Sequence, residues 1–183
     1  MSRYFSLSQL QPYTPGEQPR SRDCIKLNTN ENPYPPAPAV QNLLNPSAVA
    51  DLRLYSDPTC RGLKEKLADL YGLTPEQIFV ANGSDDILNF VFWGFPGEAG
   101  AVFPDITYGF YKVFAGLHRV DYREIPLQAD FSLNPRDYYH QKSLIVIANP
   151  NAPTGLALTP GEIQGILDTN QDSLVVIDEA YVD

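Results

Sequence analysis

From Thr59 onward the apolar residues follow two spacings, helical intervals in some stretches and short continuous blocks in others. Leu63, Leu67 and Leu70 fall on one face of a helix predicted over residues 59–71, with Gly72 in the stop position. Thr74-Pro75-Glu76-Gln77 has the form of a capping-box opening with proline at the first helical position, and the apolar run 78–81 follows at once as a candidate strand. Thr159-Pro160-Gly161-Glu162 repeats the device, opening a helix predicted to about Asp168, and 174–177 (LVVI) then reads as a buried strand. Further strands are predicted at 101–103, 119–123 and 144–148, and helices near 85–93, 108–117 and 135–140. Helices interleaved this regularly with short apolar strands predict an α/β domain around a mostly parallel sheet.

The first 46 residues differ. They hold eight of the chain's 17 prolines, and QPYTPGEQP and NENPYPPAP cannot sustain a helix or sit in a central strand. Ile25, Leu27, Tyr34 and Val40 give this stretch apolar anchors, so residues 1–46 read as an extended N-terminal arm and 47–183 as the α/β domain. A length of 183 residues suffices for one domain with a real core.

Charge narrows the class of partner. With 13 Lys+Arg against 22 Asp+Glu the net charge is −9 and the isoelectric point about 4.6. No basic stripe is present to neutralise phosphates, which argues against nucleic acid or an anionic membrane and for a small molecule. Cys24 and Cys60 lack metal-ligand spacing, and only His118 and His140 could join them, so both read as thiols of a reducing cytosol. Residues 1–10 contain no apolar stretch of signal-peptide length, and the longest apolar run, 87–95, is half a bilayer span. The expected location is cytoplasmic.

In parallel sheets, ligands bind beyond the carboxyl ends of the strands, so residues that directly follow apolar runs are informative. Three junctions stand out. At Asn82-Gly83-Ser84-Asp85-Asp86, Gly83 lets the backbone turn, and the N–H groups of Ser84 and Asp85 form a helix-start anion site suited to phosphate. The other open reading is that Asn82 or Ser84 caps the helix and the two aspartates complement its positive end. At 149–155 (NPNAPTG), two X-Pro bonds fix an unusual loop, one of them a candidate for the cis isomer, in which an asparagine could face a ligand. At Asp178-Glu179-Ala180-Tyr181, a carboxylate at a strand end is costly to desolvate unless it pairs with a cation or hydrogen-bond donors.

Taken in order, LNTNENPYPP (27–36), LYSDP (54–58), NGSDD (82–86), TYGFY (107–111), NPNAPTG (149–155) and DEAY (178–181) resemble the pyridoxal-phosphate-dependent aminotransferases of fold type I, and within them most closely the histidinol-phosphate aminotransferases. The resemblance implies an incomplete fold type I large domain with pyridoxal 5'-phosphate as cofactor. It implies that the backbone of Gly83, Ser84 and Asp85 cradles the cofactor phosphate, that Tyr108 lies against the pyridine ring, that Asp178 pairs with the protonated ring nitrogen, and that Tyr181 hydrogen-bonds the phenolic oxygen. In the family's homodimer, Tyr55 would reach the phosphate of the neighbouring subunit's site, and Tyr13 and Asn30 would lie near the substrate.

Two departures from the family pattern stand out. Ala152 occupies the place of the loop asparagine that contacts the phenolic oxygen, and Asn151 is the candidate substitute. The family's Schiff-base lysine follows DEAY at a distance in a Ser-x-Ser-Lys-type segment, whereas Lys26, Lys64, Lys66, Lys112 and Lys142 all stand in other contexts. The expectation is the N-terminal portion of an enzyme that moves an amino group between glutamate/2-oxoglutarate and the histidinol-phosphate pair, with the 183 residues alone inactive. The rivals are an aromatic amino-acid aminotransferase, a threonine-phosphate decarboxylase and, in a different class, a non-catalytic remnant or assembly half.

Overall fold

The computed structural model describes residues 14, 16–18, 25–43 and 45–182; Tyr13 and Cys24 lie outside them. One compact unit comprises Thr14–Val80 and another contains Ala81–Asp183. The boundary at 80/81 does not coincide with the division at 46/47 expected from the proline content.

The unit Thr14–Val80 carries α1 (Pro38–Leu43), α2 (Pro46–Asp51), α3 (Arg61–Tyr71) and a 3-10 turn at Pro75–Gln77. The proline-rich stretch is therefore not extended throughout. Pro38 and Pro46 open helices, where a missing N–H leaves no bond unmade. The Asn45 side chain accepts from the Ser47 and Ala48 N–H groups at 3.0 and 3.1 Å. Helix α3 starts after Cys60, itself left-handed at φ 48°, and the Asp57 carboxylate does the capping. It accepts from the Thr59 N–H (2.9 Å), the Thr59 hydroxyl (2.7 Å) and the Arg61 N–H (2.8 Å). The Thr59 hydroxyl is the largest cause holding this carboxyl below its ordinary pKa. The helix stops at Gly72 (φ 67°), as its sequence predicts, with the Gly72 and Leu73 N–H groups both donating to the Ala68 carbonyl. Its leucine stripe is less buried than its spacing predicts: Leu63 and Leu70 are 55% and 72% exposed.

The run 78–81 is not a strand. Ile78 has extended backbone (φ −106°, ψ 126°), yet no strand pairs with it among the described residues. A strand is defined by its neighbour's hydrogen bonds, which the hydropathy of one segment does not report.

The unit containing Ala81–Asp183 is a three-layer α/β arrangement. Its elements are α4 (Gly83–Gly94), β1 (Ala101–Pro104), α5 (Phe110–His118), β2 (Tyr122–Ile125), a 3-10 turn (Pro135–Tyr138), β3 (Leu144–Ala148), α6 (Pro160–Thr169) and β4 (Val175–Asp178). The four strands form one sheet, all neighbours parallel, in the order β2-β1-β3-β4. The inner strands β1 and β3 are buried at every residue, which is why they read as continuous apolar blocks. Alternate side chains then feed two cores. Ala101, Phe103, Leu144 and Val146 pack with Leu88 and Phe92 of α4 and Tyr111 and Phe114 of α5. Val102, Ile145 and Ile147 pack on the other face with Tyr138 and with Ile166 of α6. The five apolar side chains of α6, α4 and β3 that close these layers, Ile166, Leu88, Phe92, Leu144 and Ile145, are each 0–2% exposed, and each contributes roughly 1.5–3 kcal/mol on burial.

Two predicted boundaries shift for local reasons. Strand β2 begins at Tyr122 instead of Arg119 because the exit of α5 uses the intervening residues. Arg119 is left-handed (φ 56°), its N–H reaches the Gly116 carbonyl, and the Val120 N–H reaches that of Ala115 at 2.9 Å, a six-to-one closure. The segment predicted as a helix over 135–140 is a single 3-10 turn started by the Asn134 side chain. No helix among the described residues is long and apolar enough to cross a membrane.

Candidate functional site

Parallel strands present their carboxyl ends on one edge, and the register makes the ends of the inner and outer strands level: Ala148 of β3 pairs with Asp178 of β4. The chain leaving β3 enters the 149–155 loop, and the chain leaving β4 turns at Glu179-Ala180, so the two turns lie side by side. The segment between β1 and α5 brings Tyr108 to the same edge, and the start of α4 brings Ser84. Together Ser84, Tyr108, Ala152, Asp178 and Tyr181 line a cleft of about 80 Å³ walled by Ala148 and Pro150. That volume is below the range for a whole ligand pocket.

Asp178 is half-buried at the end of β4. Its Oδ2 accepts a 2.8 Å hydrogen bond from the Tyr111 hydroxyl, and its Oδ1 accepts from the Ala180 N–H at 3.3 Å. A carboxylate has about four lone-pair directions. Two are filled by donors among the described residues.

Gly83 takes φ 75° and so turns the chain into α4, a conformation that costs other residues steric strain. The first-turn N–H groups of Ser84 and Asp85 have no intrahelical acceptor, and the helix dipole adds positive potential there, whereas the Gly83 N–H already donates to the Ala81 carbonyl at 3.0 Å. The two acidic residues divide the readings that the sequence leaves open. Asp86 Oδ2, in the first turn of α4, accepts from the Asn82 N–H at 3.2 Å and so ties the residue before the helix back to it. Asp85 Oδ1 accepts from the Tyr108 hydroxyl at 2.9 Å and so anchors that ring, which also stacks on Phe110 with centroids 5.6 Å apart and 19° between planes. Asn82 makes no side-chain cap.

The 149–155 loop is held by its own asparagines, which bond groups inside and outside it. Asn149-Pro150 is cis. The Asn149 side chain accepts from the Leu158 N–H (2.6 Å) and donates to the Leu158 carbonyl (3.3 Å). Asn151 donates through Nδ2 to the Ile106 carbonyl (2.9 Å) and the Thr154 hydroxyl (3.2 Å). Asn151 lines a neighbouring cavity of about 110 Å³ under Leu133, Leu156 and Leu158, not the cleft that Ala152 lines. Its side chain is thus engaged with the protein's own backbone, although its Oδ1 is buried without a partner among the described residues.

Tyr55 and Asn30 belong to the unit Thr14–Val80. Tyr55 is fully exposed, and Asn30 is exposed with φ 51°. Tyr13 lies outside the described residues. Tyr111, the second tyrosine of TYGFY, carries no local sequence signal that sets it apart from a core aromatic. It is core, at 0% exposure, yet its hydroxyl reaches Asp178, 67 residues away.

Comparison with known proteins defines the class. The family model described as aminotransferase class I and II matches residues 22–183. This chain belongs to that family. Within it, a histidinol-phosphate aminotransferase of Brachyspira hyodysenteriae is 49% identical over 95% of this chain and 49% of its own length. One from Lactococcus lactis subsp. cremoris is 46% identical over 100% of this chain and 52% of its own length. The chain therefore spans about half the length of the curated relatives it matches. The crystal structure of histidinol-phosphate aminotransferase from Sinorhizobium meliloti in complex with pyridoxal-5'-phosphate shares the fold, with a TM-score of 0.76 at 24% identity over 84% of this chain and 43% of that one. The enzyme of that name from Clostridium acetobutylicum gives 0.70 at 20% identity over 79% of this chain and 44% of its own.

Proposed function

We propose that this chain supplies the cofactor-holding part of a pyridoxal-phosphate-dependent aminotransferase, acting as a cytoplasmic homodimer on histidinol phosphate with the glutamate/2-oxoglutarate pair. The observation that carries the reading is the convergence of Ser84, Tyr108, Asp178 and Tyr181 on one cleft at the carboxyl edge of the sheet. The identity of 46–49% to relatives named for this activity supports the choice of substrate.

The donor set fits the cofactor. The first-turn N–H groups of Ser84 and Asp85 would take its phosphate, with the backbone of Gly83 turning beneath it and its own N–H held by the Ala81 carbonyl. Tyr108, held by Asp85, would lie along its ring, and Tyr181, lining the same cleft, would donate to its phenolic oxygen. Asp178 would keep a proton on the ring nitrogen, and the resulting cation would offset the cost of holding a half-buried carboxylate. When bound, pyridoxal phosphate supplies the electron sink for removal of a substrate α-proton. Tyr55, Asn30 and Tyr13 would contribute to phosphate and substrate binding in the dimer. Asn151 would serve the phenolic oxygen only by giving up its bonds to Ile106 and Thr154.

No lysine lines the cleft. Lys112 pairs with Glu124 at 2.6 Å, Lys26 pairs with Glu31, Lys64 and Lys66 lie on α3, and Lys142 lines a groove with Phe95 and Leu174. The 183 residues alone would therefore perform no transamination. The test is growth of a histidine auxotroph lacking its own histidinol-phosphate aminotransferase. The gene encoding this chain, carried to its natural stop, is expected to restore growth without histidine. The 183-residue piece given pyridoxal phosphate and glutamate is expected to give no amino-group transfer. No growth without histidine from a stably produced gene product, or turnover by the 183 residues alone, would contradict the reading.

A further inference from the structure

We infer that Tyr111 is a positioning residue for the Asp178 carboxylate, holding it for the ligand that the cleft accepts. The inference rests on the reading of the cleft as a pyridoxal-phosphate site, but it concerns a residue outside the cleft. Tyr111 lies in the first turn of α5, fully buried against Phe103 of β1 and edge-on to Tyr108. From there its hydroxyl crosses to β4 and donates to Asp178 Oδ2 at 2.8 Å.

A buried tyrosine does not by itself require such a bond. Tyr138, in the core on the opposite face of the sheet, is equally inaccessible, and its hydroxyl has no hydrogen-bond partner among the described residues. The fold therefore tolerates one buried phenol as a hydrophobe and gives the other a charged acceptor. Asp178 for its part is half-buried and could take its remaining bonds from water on the cleft side. Instead, one oxygen is tied from below by Tyr111 and the other by the Ala180 N–H, which fixes the plane of the carboxylate.

The direction of the bond is also fixed. Burial, then the Asp178 charge, then the hydrogen bond itself push the Tyr111 phenol far above its ordinary range, so it remains a donor wherever the protein is folded. A charge-assisted O–H donor strengthens in a water-poor setting. Tyr111 also touches the edge of Tyr108, whose hydroxyl is held by Asp85. The two cleft-lining groups, ring and carboxylate, thus share one support.

The experiment uses the protein translated to its natural stop, as wild type, Tyr111→Phe, Asp178→Asn and the double variant. The apparent Kd for pyridoxal phosphate, the absorbance spectrum of the bound cofactor and the thermal midpoint of the apoprotein are measured for each. Tyr111→Phe keeps the ring and removes only the hydroxyl. It is expected to weaken cofactor binding about 10-fold and alter the bound spectrum. In the Asp178→Asn background the same substitution is expected to change the Kd less than 2-fold, because the group it acts through is already altered. Equal effects in both backgrounds, or a Tyr111→Phe variant that shifts the apoprotein midpoint while leaving Kd and spectrum at wild-type values, would assign Tyr111 a packing role only and overturn the inference. A wild type that binds no pyridoxal phosphate would instead remove the reading of the cleft, and this inference with it.

Discussion

Single side chains decide how the carboxyl edge of the sheet is built, and they act mostly through backbone groups. Asn149 is the clearest case. Buried at 9% exposure, it bonds both the N–H and the carbonyl of Leu158 and so closes the loop that carries Pro150 and Ala152 into the cleft. Asn149→Ala leaves two part-buried backbone groups without this partner and is expected to cost about 1 kcal/mol. A lowered urea midpoint with faster hydrogen exchange at the Leu158 amide checks it, and a wild-type midpoint would contradict it. What the sequence discloses at this scale follows from reach. Asp178 and Ser84 are legible because each sits directly at the end of a strand or the start of a helix, where local order implies position. Asn151 is not legible, since the Ile106 carbonyl that takes its amide is 45 residues away. Tyr111 is hidden for the same reason.

Elements were legible where their ends carry their own chemistry. Helix α6 opens on the predicted capping box: Glu162 Oε2 accepts from the Thr159 N–H and hydroxyl, both at 2.8 Å, and Thr159 Oγ1 accepts from the Glu162 N–H at 3.3 Å. The Thr159 N–H is the largest cause of a Glu162 pKa below its ordinary value. A depressed carboxylate stabilises the fold above its unfolded pKa, here the ordinary Glu value near 4.5, and that contribution fades as pH falls through the folded value. Thr159→Ala is expected to cost about 1 kcal/mol at neutral pH, with the gap from wild type narrowing on acidification from pH 5 toward pH 3. Denaturation midpoints across that range measure it, and a gap that widened at low pH would refute the assignment. By contrast, 78–81 and the leucine stripe of α3 illustrate what periodicity lacks. It reports which residues could be buried but not whether a partner surface or ladder is there to bury them.

At the scale of the sheet, the two outer strands are protected unequally. Strand β2 carries Arg123 and Glu124, bonded to Gln141 and Lys112, and such charges discourage another strand from adding. Strand β4 reads Val175, Val176, Ile177 and Asp178, with Leu174 before it and Tyr181 and Val182 after it all at least 40% exposed. Among the described residues, β4 is paired on one side only. An apolar edge of this kind is a template for a second chain. Against it stands a net charge of −9, which repels copies over roughly 10 Å at 0.1 M salt. The two effects have opposite salt dependence, so they can be separated. The 183-residue chain is expected to associate with rising concentration, on the order of tens of micromolar, and added salt is expected to strengthen the association by screening the repulsion. Sedimentation velocity over a concentration and salt series measures both. A monodisperse monomer throughout would show that the edge is shielded, and association that dissolved in salt would make it electrostatic, with β4 playing no part.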